Sequence, residues 1–472
     1  MAEESNRYEG WSALLKSGNL TRISILCLGV WLHAANSMLV ATTLPSAVNE
    51  FGGAHLVSWA FTLYLLGSIL AGSAAGLLIT RLGLKPALLG AAILYGIGSA
   101  TCAIAPGMEI MLVGRLLQGL GGGGLVALTY VAVNRLFPSH LMPRLIALIS
   151  AVWSISAFCG PLIGGSFATF GHWRFAFWAF VVQAFIFLIA TLLNINNDTP
   201  TDNNHTVVIP VGRLAILSAA VLMVAFAGAN VDLLLSPTLC ILSMISIWLF
   251  LKIDNKNPSS RMFPTNPFNI KTTLGAGMTL VIAASISTMS FLVYGTFILE
   301  TLFEVTPLIA GYIVAMESVS WGITAVLISG ASESREGTII RSGSILITVG
   351  LIGFSFSMSG DSLWWVIFWA ICQGAGFGMM WSFIVRRIIT GASSSEQDIA
   401  SSSVPTTQQI GFAIGAAASG IIANMFGFDE NMAAIVLQKV AFWIFAAFIP
   451  IMLYANFAAW KLSHEPKQRT II

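Results

Sequence analysis

Apolar segments of about 20 residues recur along almost the whole of this 472-residue chain. Such a segment, folded as a helix, is long enough to cross the hydrocarbon core of a bilayer, where every backbone polar group must be satisfied within the helix. The chain is 56% hydrophobic and only 9% charged, whereas soluble domains carry about 25% charged residues. The sequence therefore predicts an all-α integral membrane protein.

Fourteen segments are predicted to cross the membrane. They span residues 22–44, 57–79, 86–105, 109–132, 145–168, 174–195, 212–231, 235–252, 273–297, 306–329, 340–359, 363–385, 403–426 and 437–460. The pair within 212–252 is the least certain, because the turn at 232–237 is short. Without that pair the count is twelve.

The distribution of basic residues predicts the orientation. With the N-terminus inside, 19 of the 22 Lys and Arg residues fall on the inner side, and only Arg115, Arg174 and Lys439 do not. Positive charge accumulates in cytoplasmic loops. We therefore expect a multi-pass protein of the cell inner (plasma) membrane with both termini in the cytoplasm. An even number of spans satisfies this rule, so charge alone does not choose between twelve and fourteen.

Glycine and polar landmarks repeat at an offset of 254 or 255 residues. Gly76, Arg81 and Gly83 recur as Gly330, Arg335 and Gly337; Gln118, Gly119 and Gly121 recur as Gln373, Gly374 and Gly376; Gly160 and Gly165 recur as Gly415 and Gly420. Parallel repeats of this kind are typical of transporters whose substrate site lies at the repeat interface. We expect six-helix bundles at 1–195 and 272–472, joined by a linker, 196–271, that carries two extra helices.

The second span ends in a glycine-basic motif. It contains Gly76, Thr80, Arg81, Gly83 and Lys85. At this point the chain resembles the major facilitator superfamily, whose signature joins the second and third helices in the same way. The family usually has an Asp where this chain has Thr80, so the charge relay that the family implies is in doubt. Arg81 and Lys85 could also serve only as topology signals.

The fourth span places Arg115 and Gln118 three residues apart, on one helix face. In the superfamily this pattern is associated with proton transfer or substrate contact. The alternative is that Arg115 extends outward to the membrane surface. The following glycines, 119–124, match a dinucleotide-binding pattern, but no strand precedes them, and close helix packing explains them better.

The fifth span carries Gly160, Pro161, Gly164 and Gly165. This run resembles the motif typical of antiporters in the superfamily, although Ser156 replaces a further glycine. A generic kinked helix is the alternative. The Trp173-Arg174 pair that opens the sixth span resembles a motif of the fourteen-helix drug:proton antiporter branch, in a partial match.

Glu317 lies near the centre of an apolar run, where an ionisable group is by default a candidate functional residue. The first span carries His33, Asn36 and Ser37, and the antiporter branch commonly has an Asp at the place of Asn36. Because Asn carries no proton, Glu317 is the leading candidate for proton coupling, and His33 the second. Substrate and proton would then compete for one carboxylate. A structural Glu, paired with a polar neighbour, is the alternative.

Further polar and aromatic residues form stripes on helices that the repeat places around a central cavity. Besides Asn36, Ser37 and Gln118, they are Ser287, Ser290, Tyr294, Gln373, Phe377 and Trp381. Aromatic and apolar walls with few polar groups suit amphipathic ligands. Each stripe taken alone also fits ordinary helix packing.

The resemblance to the fourteen-helix branch covers most of the chain and implies a proton-coupled antiporter that exports small organic or amphipathic compounds by alternating access. A proton-coupled symporter or facilitator that imports a nutrient is the alternative, since two family acids are missing. The sequence has no metal-binding spacing, nucleophile–base pair or nucleotide-binding loop. We therefore expect no enzyme activity, no cofactor and no nucleic acid, with lipid, protons and a small molecule as partners. A periplasmic adaptor is not readable from these residues.

Overall fold

The computed structural model describes residues 14, 17–51, 57–169, 172–196, 210–229, 234–360, 362–428 and 433–464. Within these residues the regular structure is helical, with no strand. The helices are α1 (Ser17–Phe51), α2 (Val57–Leu82), α3 (Leu84–Ile104), α4 (Met108–Leu136), α5 (Met142–Thr169), α6 (Trp173–Asn194), α7 (Val211–Ala229), α8 (Leu235–Asn255), α9 (Thr273–Leu302), α10 (Pro307–Ile328), α11 (Glu336–Ser357), α12 (Leu363–Thr390), α13 (Gln397–Met425), α14 (Ala434–Ala446) and α15 (Ile449–His464).

Each predicted span has a helix in its place, so the all-α fold class is confirmed. Eleven helical segments of the described residues are long and apolar enough to cross a membrane. The segment predicted at 437–460 is divided into α14 and α15. Pro450 follows the division, and its ring nitrogen cannot donate to the carbonyl of residue 446. The two predicted spans within 212–252 are helical and correspond to α7 and α8. α8 is long and apolar enough to cross a membrane, whereas the apolar stretch of α7, Val211–Val224, is shorter.

Equivalent glycines make equivalent close contacts in the two repeats. A Cβ on Gly119 would stand 2.1 Å from the Tyr64 carbonyl oxygen, and one on Gly374 would stand 2.0 Å from the Glu317 carbonyl oxygen. These contacts join α4 to α2 and α12 to α10. Glycine is needed at both crossings because the backbones touch. Glu317 thus occupies in the second repeat the place that Tyr64 occupies in the first.

Helices of the two repeats pack against one another in several pairs, including α2 with α13 and α5 with α10. In the α2–α13 pair, a Cβ on Gly76 would stand 2.8 Å from the Ile399 Cα atom. In the α5–α10 pair, the Ser154 hydroxyl donates to the Ser318 carbonyl oxygen. Because each pair takes one helix from each repeat, we treat 1–195 and 272–472 as two halves whose relative movement must break or slide these contacts.

The helix pair α7–α8 packs beside α13 and α2. Arg213 of α7 forms an ion pair with Asp254 of α8 at 2.5 Å, and Asp254 also accepts backbone N–H groups of Met262 and Phe263. Arg261, in the segment that leaves α8, pairs with Glu396 just before α13. The extra helices are therefore tied to the second half where α13 begins.

Candidate functional site

Arg115 lies completely buried at the centre of a polar network in the first half. Its guanidinium donates to the Asn36 amide oxygen at 2.6 Å and to the Gln118 amide oxygen at 2.9 Å through Nη1, and to the Ala60 carbonyl oxygen at 3.2 Å through Nε. It also lies 4.2 Å from the centroid of the Tyr64 ring. Arg115 therefore does not extend to the membrane surface.

Neighbouring helices complete this network. Asn36 of α1 donates to the Tyr95 hydroxyl at 2.9 Å, and that hydroxyl donates to the Leu32 carbonyl oxygen. Gln118 donates to the Ser99 hydroxyl at 2.9 Å. These bonds orient both amides so that their oxygen atoms face the guanidinium. Asn36 thus lies where a partner of Arg115 is needed, but it supplies a neutral oxygen.

His33 is buried one turn from Asn36. The Tyr64 hydroxyl lies 2.8 Å from His33 Nδ1, and the Trp153 ring packs against the imidazole at a centroid distance of 5.5 Å. His33 is thereby connected through Tyr64 to the Arg115 site. The structure brings His33, Asn36, Arg115 and Gln118 together, whereas the side chain of Ser37 lies outside the described residues.

The positive charge of Arg115 has no carboxylate beside it in the described structure. Its Nη2 atom is buried and has no hydrogen-bond partner among the described residues. An unpaired buried cation is costly, and the cost is reduced here by amide dipoles and by the Tyr64 ring. Nη2 is therefore a buried donor that no oxygen of the described residues satisfies.

Glu317 is partly exposed on α10. Its Oε1 atom accepts a hydrogen bond from the Gln373 amide nitrogen at 3.0 Å, and no ion pair joins it to a basic side chain of the described chain. The Gln373 amide oxygen is buried and makes no hydrogen bond there. A carboxylate held by one neutral donor can change its protonation state without breaking an ion pair.

Aromatic rings connect the Glu317 region to the first half. Trp321, one turn after Glu317, stacks on Phe377 at 4.6 Å and contacts Trp381 edge-on at 5.5 Å. Trp381 donates through its indole N–H to the Tyr130 hydroxyl of α4 at 3.2 Å. Trp381 therefore lies at the contact between the halves, whereas the ring contact of Phe377 is within the second half.

The three predicted cavity residues of α9 have different surroundings. Ser287 donates to the carbonyl oxygen of Ala283 in its own helix. Ser290 lies 2.8 Å from the Ser419 hydroxyl and donates to the Ile444 carbonyl oxygen, which are contacts within the second half. Tyr294 is partly exposed and packs edge-on against Phe428 at 5.3 Å.

The glycine-basic motif forms the turn between α2 and α3. Gly83 has φ of 83°, in the left-handed region that favours glycine, and its N–H caps the Ile79 carbonyl. Lys85 donates to the Leu192 carbonyl oxygen at the end of α6, and Arg81 lies in the last turn of α2. The Thr80 hydroxyl bonds the Leu77 carbonyl of its own helix. Gly160, Pro161, Gly164 and Gly165 lie in α5, but their side-chain surroundings lie outside the described residues.

An ion pair across the halves lies at the same membrane face as this turn. Arg135, at the end of α4, donates twice to Asp398 Oδ2, at 2.5 and 2.9 Å, and Asp398 lies in the first turn of α13. Both side chains are 18% exposed. The acid that is missing at Thr80 is thus matched by an acid from the opposite half that binds another basic residue.

Sequence reasoning missed Tyr64, Tyr95, Trp321, Arg135 and Asp398. The two tyrosines and Trp321 lie at interior positions of predicted spans, where a polar-tipped aromatic residue needs a partner, so a signal was present. Arg135 and Asp398 are 263 residues apart, and no spacing indicates their pairing. Among the described residues no group of three His, Cys, Asp or Glu side chains could hold a metal ion.

Known proteins that are similar to this chain in sequence and in structure are membrane transporters. Residues 26–384 match the profile of the Major Facilitator Superfamily. A probable multidrug-efflux transporter of Mycobacterium tuberculosis is 30% identical over 95% of this chain and 96% of its own length. The multidrug efflux pump SdrM of Staphylococcus aureus is 24% identical over 90% of this chain and 96% of its own. The human organic anion transporter TETRAN shares the fold, with a TM-score of 0.66 at 15% identity, covering 93% of this chain and 98% of its own.

Proposed function

This chain belongs to the major facilitator superfamily of membrane transporters, and we propose that it is a proton-coupled antiporter that exports small organic or amphipathic compounds by alternating access. The observation that carries the proposal is Glu317, a partly exposed carboxylate on a helix that joins the two halves, with Gln373 as its hydrogen-bond donor. The names of the bacterial relatives support efflux as the direction of transport.

Two charged side chains without ionic partners among the described residues suggest how proton and substrate could be exchanged. Arg115 and Glu317 lie in opposite halves, and neither has an oppositely charged partner in the described structure. Glu317 without its proton attracts a cationic or polar substrate group, and protonation removes that attraction. A proton entering from the outer side would then release the substrate outward, and loss of that proton to the cytoplasm would restore the binding form.

Arg115 has a supporting role in this mechanism. As a permanent positive charge it holds Asn36 and Gln118 in fixed orientations. His33, the second candidate for proton coupling, is hydrogen bonded to Tyr64, which packs on Arg115. We place the protein in the inner (plasma) membrane with both termini in the cytoplasm, as the basic residues predict.

Transport into proteoliposomes tests the function. With an imposed pH gradient, a panel of lipophilic cations, siderophores and neutral drugs is screened for movement against the proton flux. Glu317→Gln should abolish gradient-driven transport, while Glu300→Gln, an exposed acid of α9, is the matched control and should leave it intact. Movement of substrate in the same direction as protons would instead indicate the symporter, and full activity of Glu317→Gln would refute the role of Glu317.

A further inference from the structure

We propose that the groove between α5 and α10 binds an anionic phospholipid, with an acyl chain along the groove and the headgroup phosphate at Arg144. This inference does not depend on the transported substrate. It concerns a lateral surface between the halves, separate from the Arg115 network and from the Glu317–Gln373 contact.

The groove has a volume of about 530 Å³ and is lined by apolar side chains of the two helices. Ile155 and Phe158 of α5 are 54% and 43% exposed, and Ile323 and Leu327 of α10 are 58% and 77% exposed. The hydroxyl of Ser154, which also lines it, is already bonded to the Ser150 and Ser318 carbonyls. In a membrane-spanning helix pair, such a surface faces hydrocarbon, so an acyl chain is its natural occupant.

Arg144 marks one end of this groove. It precedes Ala151, a lining residue, by seven positions on α5, so both lie on one helix face about 10 Å apart along the axis. Its Nη2 atom lies 3.5 Å from the place of a Cβ on Gly330, which follows Ile323 by seven positions. The guanidinium therefore closes the groove at the ends of both helices, on the face predicted to be cytoplasmic.

Arg144 has no acidic partner among the described residues there. Its Nε atom is buried without a hydrogen-bond partner, and no ion pair joins Arg144 to another residue of the described ranges. This contrasts with Arg135, Arg386 and Arg387 at the same face, which all pair with acids. A partly exposed arginine at the predicted membrane interface, with its charge unpaired in the described ranges and an apolar groove beside it, matches the phosphate and acyl chain of one lipid molecule.

Binding at this place would influence transport. Because α5 and α10 belong to opposite halves, a lipid in the groove touches both and favours the arrangement in which the groove exists. We therefore infer that the content of anionic lipid shifts the balance between the two states of the transporter.

Lipid binding to the delipidated full-length protein in detergent provides the first test. Native mass spectrometry should show tighter binding of dioleoylphosphatidylglycerol than of dioleoylphosphatidylcholine. Arg144→Gln should weaken the phosphatidylglycerol affinity about tenfold, the effect of losing roughly 1.4 kcal/mol. Arg341→Gln is the matched control, since that arginine bonds within its own helix, and should leave the affinity unchanged. Equal affinities for the two lipids, or an unchanged affinity in Arg144→Gln, would overturn the proposal.

Photolabelling then tests the location. Phosphatidylglycerol with a photoactivatable acyl chain should label peptides of α5 and α10, and Ile155→Trp, which fills the groove, should reduce that labelling while the unfolding midpoint stays the same. Labelling spread evenly over the lipid-facing helices would reject the groove as the site. Displacement of the lipid by a transported compound at its transport concentration would show that the groove is a substrate path, and would also overturn the lipid assignment.

Discussion

Breaking the Arg135–Asp398 ion pair should open the transporter at the face where this pair lies. The two charge-assisted hydrogen bonds join α4 of the first half to α13 of the second, and both side chains are mostly buried. Exposed ion pairs contribute about 0.2–1 kcal/mol, and breaking a buried pair costs about 3–5 kcal/mol. For this mostly buried pair we expect its loss to cost about 2 kcal/mol. Asp398→Asn should therefore shift the balance between states about 30-fold.

Distances between spin labels measure this shift. Labels at Ser139 and Ser394, exposed residues of the two halves, would be introduced into a cysteine-free background and measured by double electron–electron resonance in nanodiscs. A longer-distance population should grow in Asp398→Asn, and the exchange Arg135→Asp with Asp398→Arg should reduce it again. The matched control is Glu333→Gln, which breaks a pair with Arg386 inside the second half. Equal distance distributions in Asp398→Asn and the unsubstituted protein would refute the reasoning.

Three further predictions concern the helix packing, the Arg115 network and the contact between the ends of α1 and α6. Gly119→Ala should destabilise the protein by about 1–3 kcal/mol, since its Cβ would meet the Tyr64 carbonyl. The control Gly90→Ala, with open space around it, should be neutral or stabilising. Equal shifts of the unfolding midpoint in the two variants would contradict this prediction. Arg115→Met should abolish transport in proteoliposomes while the folded protein is retained, because Asn36 and Gln118 lose their shared donor. Normal flux in this variant would show that the Arg115 network is structural only. Hydrogen bonds from Arg174 and Trp173 lower the pKa of Glu50. This contact therefore stabilises the fold above the unfolded-state pKa, and the stabilisation is lost as the pH falls through the folded-state pKa. On that acidification Glu50→Gln should lose less stability than the unsubstituted protein, and identical profiles of stability against pH would contradict the assignment.

The helices could be predicted from sequence because hydrocarbon imposes one length and one backbone solution on each apolar segment. The division between α14 and α15 was not predicted. Pro450 signalled it, but membrane helices often continue through a proline when neighbours satisfy the freed carbonyl. The repeated glycines could be read in advance because backbone contact between helices excludes a side chain at both Gly119 and Gly374.

The site was only partly readable. Helical spacing placed Arg115 and Gln118 on one face, and they are joined at 2.9 Å. The partners from other helices are Tyr64 and Tyr95. Their contacts depend on how α2 and α3 are rotated about their axes relative to α4, and residue spacing within one helix does not determine that rotation. The Ser290 contacts with Ser419 and Ile444 depend in the same way on the packing of three helices.

Proton release on substrate binding tests the central claim most directly. A compound transported in proteoliposomes is added to purified protein in weakly buffered detergent solution, and the pH change is followed with an indicator dye. The unsubstituted protein and Glu300→Gln should release close to one proton per bound substrate, and Glu317→Gln should bind without release. Equal proton release from Glu317→Gln would contradict the exchange of proton and substrate at this carboxylate.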